Sequence, residues 1–204
     1  MPTIEIRTLK PQEHNAAARL CAQAMLDNPI HCAVFGQDQT VRLRRLQYFF
    51  PGMLAYVGRK GRLYGAFIDE QMVGVFGVLP PGQCRPTVAD ALRLLPALLR
   101  SNSILGWLRS MIWLGTWAKI DPRAPHWHLG PLVVDRHWQG QGIGSRLLRF
   151  VCSIDGERPF YLETDKESNV RLYKRFGFTT TGTPEILGVP GWVMVKKAGK
   201  EKTQ

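Results

Sequence analysis

Residues 133–148 of the chain read VVDRHWQGQGIGSRLL, a stretch that joins a short β-branched run to a helical pattern through a glycine-rich turn. The glycines stand at alternate positions, Gly140, Gly142 and Gly144. Glycine permits positive φ and lets backbone N–H groups approach a ligand that a Cβ would keep away. The amino terminus of the following helix adds about half a positive charge to those donors. The stretch therefore predicts a strand–turn–helix unit that binds a phosphate group.

Two common phosphate-binding motifs fit this turn less well. A Walker A loop needs a lysine after its last glycine, whereas Gly144 is followed by Ser145 and Arg146, so that motif is excluded. A dinucleotide fingerprint needs G-x-G-x-x-G, and the chain has G-x-G-x-G with no clear acidic partner for a ribose about 20 residues beyond. The spacing therefore disfavours a dinucleotide and favours another phosphorylated ligand.

The turn resembles the signature of the GNAT superfamily of acyl-CoA-dependent N-acyltransferases, Q/R-x-x-G-x-G/A, which follows the fourth strand of that fold. Residues 139–144, QGQGIG, match it without departure. Residues 169–178, NVRLYKRFGF, are similar to the family's downstream pattern N-x-x-(x)-Y-x-x-x-G-F. The resemblance covers residues 63–195 and is weaker before them. It implies an α/β (α+β) fold with a mixed, mostly antiparallel sheet of about six or seven strands, flanking helices, and splayed strands four and five.

The resemblance implies acetyl-CoA as co-substrate, with its pyrophosphate on the backbone amides of residues 139–145. The run 132–134 would offer backbone groups to the pantetheine arm, and Asn169 would contact the cofactor or cap its helix. Arg146 would add a charge contact to phosphate or lie solvated on the helix. The residues expected to bind the cofactor are Leu132, Val133, Val134, Gln139, Gly140, Gln141, Gly142, Ile143, Gly144, Ser145, Asn169 and Tyr173.

Acyl transfer to an amine needs a neutral nucleophile, a stabilised oxyanion and a proton for the departing thiolate. The resemblance assigns that proton to Tyr173, because a phenol with an ordinary pKa of about 10 keeps its proton at neutral pH. His128 stands where many family members carry a glutamate, and its imidazole is one candidate base. Glu163 is the other candidate, as base or as amine-binding carboxylate. The alternatives are core packing for Tyr173, a structural or substrate-contact role for His128, and pairing with a surface lysine for Glu163.

Strand alternation also gives an expectation for the histidines. Residues two apart on a strand share a face, so His126, His128 and Gly130 are expected to lie on the same face as Leu132 and Val134.

The chain is expected to form a single domain over residues 1–195. Leucines at helical spacing predict a helical insert at 86–125, between strands three and four, with two helices broken around 101–103. Arginines interrupt the apolar residues of this insert, so a membrane span is not expected. Packing onto the core or as a lid, and contact with a membrane surface, both remain open for it.

Three local expectations concern the rest of the chain. Residues 28–39 are expected to form a loop, and Pro51 to kink or divide a helix over 41–57. The basic residues 196–204 are expected to be a disordered tail.

The net charge of +11 favours a polyanionic partner, but the cationic clusters are short and lack interleaved aromatic residues, so nucleic acid is not expected. The four cysteines are far apart and show no Cys/His zinc spacing, so neither a metal nor a disulfide is expected. The amino-terminal residues lack the apolar region of a signal peptide, and a cytoplasmic location is expected. A homodimer is left open.

The sequence thus predicts an N-acetyltransferase that moves an acetyl group from acetyl-CoA to a primary amine of a small molecule, by direct transfer in a ternary complex. Two alternatives stay open. One is a protein acetyltransferase acting on an amino terminus or lysine, and the other is a non-catalytic CoA-binding module. No feature of the amino-terminal half names the acceptor.

Overall fold

The computed structural model describes residues 3–199 and shows a central sheet with helices on both faces. The strands are β1 Glu5–Thr8, β2 Arg62–Ile68, β3 Gln71–Leu79, β4 Trp127–Val134, β5 Phe160–Thr164, β6 Thr179–Gly182, β7 Glu185–Ile186, β8 Val189–Pro190 and β9 Trp192–Lys196. The α-helices are α1 His14–Ala24, α2 Pro29–Phe35, α3 Gln39–Lys60, α4 Val88–Ser101, α5 Ile104–Ile120, α6 Ile143–Cys152 and α7 Glu167–Arg175.

The main sheet has seven strands in the order β1-β2-β3-β4-β5-β9-β6, and β7 and β8 form a separate hairpin. All neighbours in the main sheet are antiparallel except β4 and β5. The parallel pair is joined only at Trp127↔Phe160 and His128↔Tyr161, after which the two strands no longer pair. The predicted mixed sheet is confirmed, and its middle strands separate toward the carboxyl end of β4.

An irregularity in β4 lies just after that short parallel pairing. Val78 of β3 pairs with Leu129, whereas Phe76 pairs with Leu132, so Gly77 faces two residues of β4. One of the two is Pro131, which has no N–H to donate to a neighbouring strand. A bulge of this kind bends the strand and disrupts the ladder locally.

The bulge also reverses the alternation of side chains along β4. Leu129 belongs to the core beneath α6 and α7, and Leu132 and Val134 pack against the same core. Strict alternation would instead place the odd-numbered Leu129 on the face opposite these two even-numbered residues. Val133 belongs to the opposite core, beneath α1 and α3. His128, next to Leu129, therefore lies on the Val133 face. The prediction that His128 shares a face with Leu132 and Val134 is wrong, because strict alternation does not survive an extra residue.

Each face of the sheet is covered because the helices carry apolar stripes. In α6 the buried residues Ile143, Leu147, Leu148 and Val151 recur at helical spacing and pack onto the sheet. On the other face, α1 and α3 pack on each other and on the sheet. Helices α1 and α6 contact β4 from opposite faces of the sheet, and α7 contacts β5. These contacts lie beside the point where the two strands separate.

Three local expectations need correction. Residues 28–39 contain α2, which begins at Pro29 and buries Phe35 completely. Proline is favoured at the first helical position, and the helix is too short to show a clear period. Helix α3 continues through Pro51 and is not divided there. Lys196 is the last residue of β9 rather than part of a tail, while residues 200–204 lie outside the described part.

The helical insert forms two helices, with the break at residues 102–103 where the sequence predicts it. Helix α4 packs on α3, and α5 packs on α2, which identifies the insert as part of the helical layer beside the sheet. Each helix also exposes an apolar stripe: Val88, Leu92, Leu99, Ile104, Leu105, Leu108, Met111 and Ile112. Within residues 3–199, none of the helices has the length and apolar character needed to span a bilayer.

The capping of α4 gives a prediction about stability. The buried carboxylate of Asp90 accepts from Thr87 N at 2.9 Å and Thr87 Oγ1 at 2.8 Å, and lies 3.2 Å from Lys60 Nζ. These hydrogen bonds, the Thr87 amide first, lower the pKa of Asp90 to about 2. A depressed pKa stabilises the fold above the unfolded pKa of about 4, and that contribution disappears as pH falls through the folded value. We expect Asp90→Asn to lower the urea midpoint at pH 7, with the difference from wild type shrinking between about pH 4 and pH 2.

Asp69→Asn is the control, because Asp69 lies exposed in the β2–β3 turn at φ 46°, a conformation that asparagine tolerates. Urea unfolding across this pH range measures both variants. A deficit for Asp90→Asn that does not change with pH would contradict the assignment.

Candidate active site

A cavity of ≈ 300 Å³ lies where β4 and β5 separate. Its walls come from the end of β4, the glycine turn, the amino-terminal half of α7, and the end of α1 with the residues after it. Val133 and Met25 belong to the side of the sheet beneath α1 and α3, whereas Leu172 and Tyr173 belong to the side beneath α6 and α7. Because both faces contribute, the cavity passes through the gap between the two strands.

The glycine turn has the backbone geometry that the sequence predicts. Gly140 has φ 77° and Gly142 has φ 81°, values that other residues rarely adopt. Gly142 is the N-cap of α6 and has no side chain to accept from the first-turn amides. Those amides are therefore available for an anion at the helix amino terminus. A Cβ added to Gly144 would meet only Val134 Cγ2 at 3.6 Å, an ordinary contact.

Eight of the twelve residues predicted to bind the cofactor line this one cavity. They are Leu132, Val133, Val134, Gln139, Gly140, Gly144, Asn169 and Tyr173. The remaining four do not line it, and they are Gln141, Gly142, Ile143 and Ser145. The side chain of Ile143 is 1% exposed and packs in the core, so only its backbone can serve a ligand.

Sequence reasoning missed six lining residues. They are Ala24, Met25, Asn28, Lys166, Ser168 and Leu172. Lys166 and Ser168 flank the start of α7, and a second helix amino terminus beside the glycine turn was the available signal for them. Residues at the end of α1 gave no such signal, since only the tertiary fold brings them to the cavity.

Two of the predicted side chains hold the cavity walls together. Gln139 Nε2 donates to the Val134 carbonyl at 3.0 Å, which ties the turn to the end of β4. Asn169 Nδ2 donates to Thr164 Oγ1 at 3.1 Å, which ties α7 to β5. The N-cap of α7 is Lys166, so the capping alternative for Asn169 is wrong. Arg146 is exposed and does not line the cavity.

Tyr173 is positioned by α7 in the cavity wall and is only 6% exposed. Burial first, and then the nearby negative charge of Asp165, raise the pKa of the Tyr173 phenol above its ordinary value. The phenol therefore keeps its proton through neutral and moderately alkaline pH.

His128 and Glu163 meet across the parallel strand pair. His128 Nδ1 lies 2.9 Å from Asp121 Oδ2, and Nε2 lies 3.2 Å from Glu163 Oε2. Burial alone would lower the pKa of His128, but the carboxylates of Glu163 and Asp121 outweigh it and raise this pKa to about 10. Both ring nitrogens therefore already face carboxylates. Asp121, at the end of α5, was not predicted because nothing in its local sequence links it to β4 or β5.

Glu163 stands two residues after Tyr161 on β5, so their side chains share a face of the sheet. His128 pairs with Tyr161 and lies on the same face. Its side chain is 12% exposed, and Oε1 has no hydrogen-bond partner among residues 3–199. An opening of ≈ 470 Å³ lies beside Tyr161 on this face. It is lined by Ile120, Pro122, Tyr161, Thr181, Gly182, Thr183, Pro184, Val193 and Val195. The sheet thus has the glycine-turn cavity at the strand gap and a second, mostly apolar opening close to the carboxylate.

Comparison with known proteins agrees with this architecture. Residues 98–180 match the family described as an acetyltransferase (GNAT) domain, a range that contains the glycine turn, His128, Glu163 and Tyr173. The sheet with its single parallel pair, together with this match, confirms the resemblance seen in the sequence. Residues 98–180 are thus similar to a GNAT acetyltransferase domain, and the surrounding sheet has the matching fold.

Solved structures with the same fold act on different kinds of acceptor. A histone acetyltransferase HPA2 and related acetyltransferase from Corynebacterium glutamicum matches over 100% of both chains, with 19% identity and a TM-score of 0.73. Arylalkylamine N-acetyltransferase 2 from Aedes aegypti matches over 97% of this chain and 100% of its own, with 14% identity and a TM-score of 0.60. An Escherichia coli N-acetyltransferase for the alanine of a ribosomal protein matches over 99% of both chains, with 13% identity and a TM-score of 0.55. At these identities the likeness establishes the common fold and leaves the acceptor open.

A substitution in the turn separates ligand binding from folding. Gly144→Ala adds a methyl group that the protein accommodates but that occupies the side of the cavity where an anion would approach the amides. We expect binding of acetyl-CoA to weaken about tenfold, equivalent to ~1.4 kcal/mol. The melting temperature should stay constant or rise, because alanine is favoured over glycine in a helix by about 1 kcal/mol.

Gly115→Ala is the matched control, since Gly115 lies in α5, outside the cavity wall, and an added Cβ there meets nothing within 4 Å. Isothermal titration with acetyl-CoA measures both variants. Unchanged affinity in Gly144→Ala would show that the turn is not the anion site.

Proposed function

We propose that the protein is an acetyl-CoA-dependent N-acetyltransferase that acetylates a primary amine of a small molecule by direct transfer in a ternary complex. The observation that carries the proposal is the cavity that crosses the sheet between β4 and β5. It begins at a glycine turn suited to a pyrophosphate and contains a protonated phenol in its wall, while the largely buried carboxylate of Glu163 lies on β5 outside its lining.

Acetyl-CoA would lie with its pyrophosphate on the amides that begin α6, and Lys166 adds a positive charge to the same cavity. Its pantetheine arm would run along residues 132–134, where β4 still pairs with β3 but no longer pairs with β5 on its other edge. The thioester would thereby enter the gap between the strands.

In the transfer step the amine nitrogen forms a bond with the acetyl carbonyl carbon, and the C–S bond then breaks. Tyr173 is the residue best placed to give its phenolic proton to the departing thiolate, since it lines the cavity and burial keeps it protonated. The developing phenolate recovers a proton from the acylated nitrogen, directly or through water, which leaves a neutral amide and a protonated thiol.

Of the two candidate bases, Glu163 is favoured by its contacts. His128 has both ring nitrogens facing carboxylates, at 2.9 and 3.2 Å, so neither is free for a substrate amine. Glu163 keeps Oε1 without a partner among the described residues. We therefore assign Glu163 to hold the substrate ammonium and take its proton, directly or through water, and His128 to position that carboxylate.

A small acceptor is favoured by what covers this face of the sheet. Trp117 of α5 lies against the segment after β8, since a Cβ at Gly191 would be 3.0 Å from its ring. The opening beside Tyr161, at ≈ 470 Å³, falls within the range of about 300–1,000 Å³ usual for small-molecule sites. Its lining is mostly apolar, which suits an amine attached to an apolar body.

Tyr173→Phe tests the acid. Loss of the phenolic proton should reduce kcat by about 10²-fold, with little change in KM for either substrate, because the hydroxyl acts on the leaving group. Thiol release with acetyl-CoA across a panel of amines, including peptides with free amino termini and lysines, measures it.

Tyr64→Phe is the control, because Tyr64 is a buried tyrosine of β2 that packs on Phe150, away from the cavity. Wild-type turnover in Tyr173→Phe would remove the assigned acid. Binding of acetyl-CoA without thiol release for any amine would make the chain a CoA-binding module, and release with peptides alone would make it a protein acetyltransferase.

Glu163→Gln tests the base. The amide keeps the shape of the side chain but cannot take a proton, so we expect kcat to fall by about 10²-fold at saturating amine. Glu157→Gln, at an exposed position, is the control. The same thiol-release assay measures both variants. An unchanged kcat in Glu163→Gln would show that another group acts as the base.

A further inference from the structure

Four potential metal ligands from separate parts of the chain converge beside the base. Cys84 follows β3, Asp121 ends α5, His126 precedes β4, and His128 lies on it. One ligand atom from each of Cys84, His126 and His128 lies within 4.8 Å of the others. Asp121 belongs to a neighbouring group with His128 and Glu163, and its carboxylate adjoins the first group at 2.9 Å from His128 Nδ1 and 3.5 Å from His126 Nε2.

Two buried atoms of this cluster have no hydrogen-bond partner. His126 is 4% exposed and Asp121 is 6% exposed. Among residues 3–199, His126 Nε2 and Asp121 Oδ1 are unpartnered, although they face each other at 3.5 Å. Buried polar atoms are almost always paired with protein or with a bound species. The two atoms face each other as a long ion pair at 3.5 Å, and a cation bound to both residues would satisfy them more fully.

The outward nitrogens of both imidazoles have partners of the kind that metal-bound histidines use. His126 Nδ1 lies 2.8 Å from the Ala124 carbonyl, to which only an N–H can donate. His128 Nε2 lies 3.2 Å from Glu163 Oε2. A histidine that binds a metal through one nitrogen usually directs its other N–H to a carbonyl or carboxylate. This arrangement leaves His126 Nε2 and His128 Nδ1 facing the cluster, where each becomes a lone-pair donor once a metal ion displaces its proton.

We propose that this cluster is a structural zinc site, in which Cys84 Sγ, His126 Nε2, His128 Nδ1 and the Asp121 carboxylate bind one Zn²⁺. One thiolate, two imidazoles and a carboxylate are ligands that zinc accepts, and four protein ligands leave no open position. On binding, the Cys84 thiol and the metal-facing nitrogens of the two imidazoles would release their protons to solvent. Glu163 would stay outside the metal, because it lies at the opposite nitrogen of His128.

The spacing requires only a local adjustment. Zinc bonds of about 2.0–2.3 Å place tetrahedral ligands roughly 3–4 Å apart, which the imidazole and carboxylate atoms already approach. Cys84 Sγ now lies 3.4 Å from the His126 carbonyl and 3.6 Å from the Pro80 carbonyl. A rotation of this partly exposed side chain would turn the sulfur inward.

Such a site would link the helical insert to the central sheet. Cys84 precedes α4 and Asp121 ends α5, so the metal would fasten both ends of the insert to β4. It would also fix the ring of His128, whose other nitrogen contacts Glu163. The zinc would therefore support the carboxylate without touching the substrate.

The test uses the full chain, stripped of metal by a chelator, dialysed and reloaded with Zn²⁺ or Co²⁺. We expect about one Zn²⁺ per chain by elemental analysis, and a Co²⁺ spectrum with tetrahedral visible bands and a thiolate charge-transfer band. Chelation should lower the melting temperature of the wild type.

Cys84→Ser should lose the charge-transfer band and bind Zn²⁺ at least about 100-fold more weakly, whereas Cys32→Ser, another partly exposed cysteine, should behave as wild type. Asp121→Asn is a second variant, in which we expect the thiolate charge-transfer band to remain and the affinity for Zn²⁺ to fall. Absence of zinc from the reloaded wild type, or a thiolate band that persists in Cys84→Ser, would overturn the site. Neither readout depends on acetyl transfer, so this site and the proposed function can fail separately.

Discussion

The separation of β4 from β5 is the constraint on which the rest of this structure depends. Two parallel pairs hold the strands together, and the bulge opposite Gly77 then turns β4 away. Unpaired backbone groups are costly inside a protein unless a ligand or solvent satisfies them. The gap therefore explains at once why a cavity crosses the sheet and why the end of β4 can bind an extended ligand through its backbone.

The same irregularity divides the chemistry between the two faces of the sheet. Tyr173 reaches the gap from the α7 side, whereas His128 and Glu163 stand on the side of α1, α3 and the insert. Without the bulge, His128 would share the face of Leu132 and Val134. One additional residue in β4 thus places His128 on the opposite face from Tyr173, so in the proposed reaction the acid and the base would approach the thioester from opposite sides.

The helical insert has a role that its leucine pattern does not reveal. Its length and helices could be read from periodicity, and its exposed stripe shows that only part of its apolar surface packs on the protein. Its ends matter more for the site. Asp121 contacts His128, and Trp117 packs over the segment after β8, so the insert helps to cover the face of the sheet that carries His128.

The sequence by itself determined the elements whose signals are local. The glycine turn at 139–144 and the NVRLYKRFGF run each occupy one short segment, so spacing predicted the helix terminus, and the family resemblance that these segments carry implied the mixed sheet and the place of Tyr173. It also proposed His128 and Glu163 but could not choose between them. That choice depends on Asp121, which occupies the second nitrogen of His128.

Only the tertiary structure decided which face His128 occupies, which residues of α1 and α7 line the cavity, and that Cys84, Asp121, His126 and His128 converge. The physical reason is the same in each case. A bulge changes the alternation of a strand through its pairing with a neighbour, and ligand atoms far apart along the chain meet only after the sheet and insert have packed. A local sequence pattern predicts the conformation of one segment. The contacts of a site form between residues of several segments, so no local pattern predicts them.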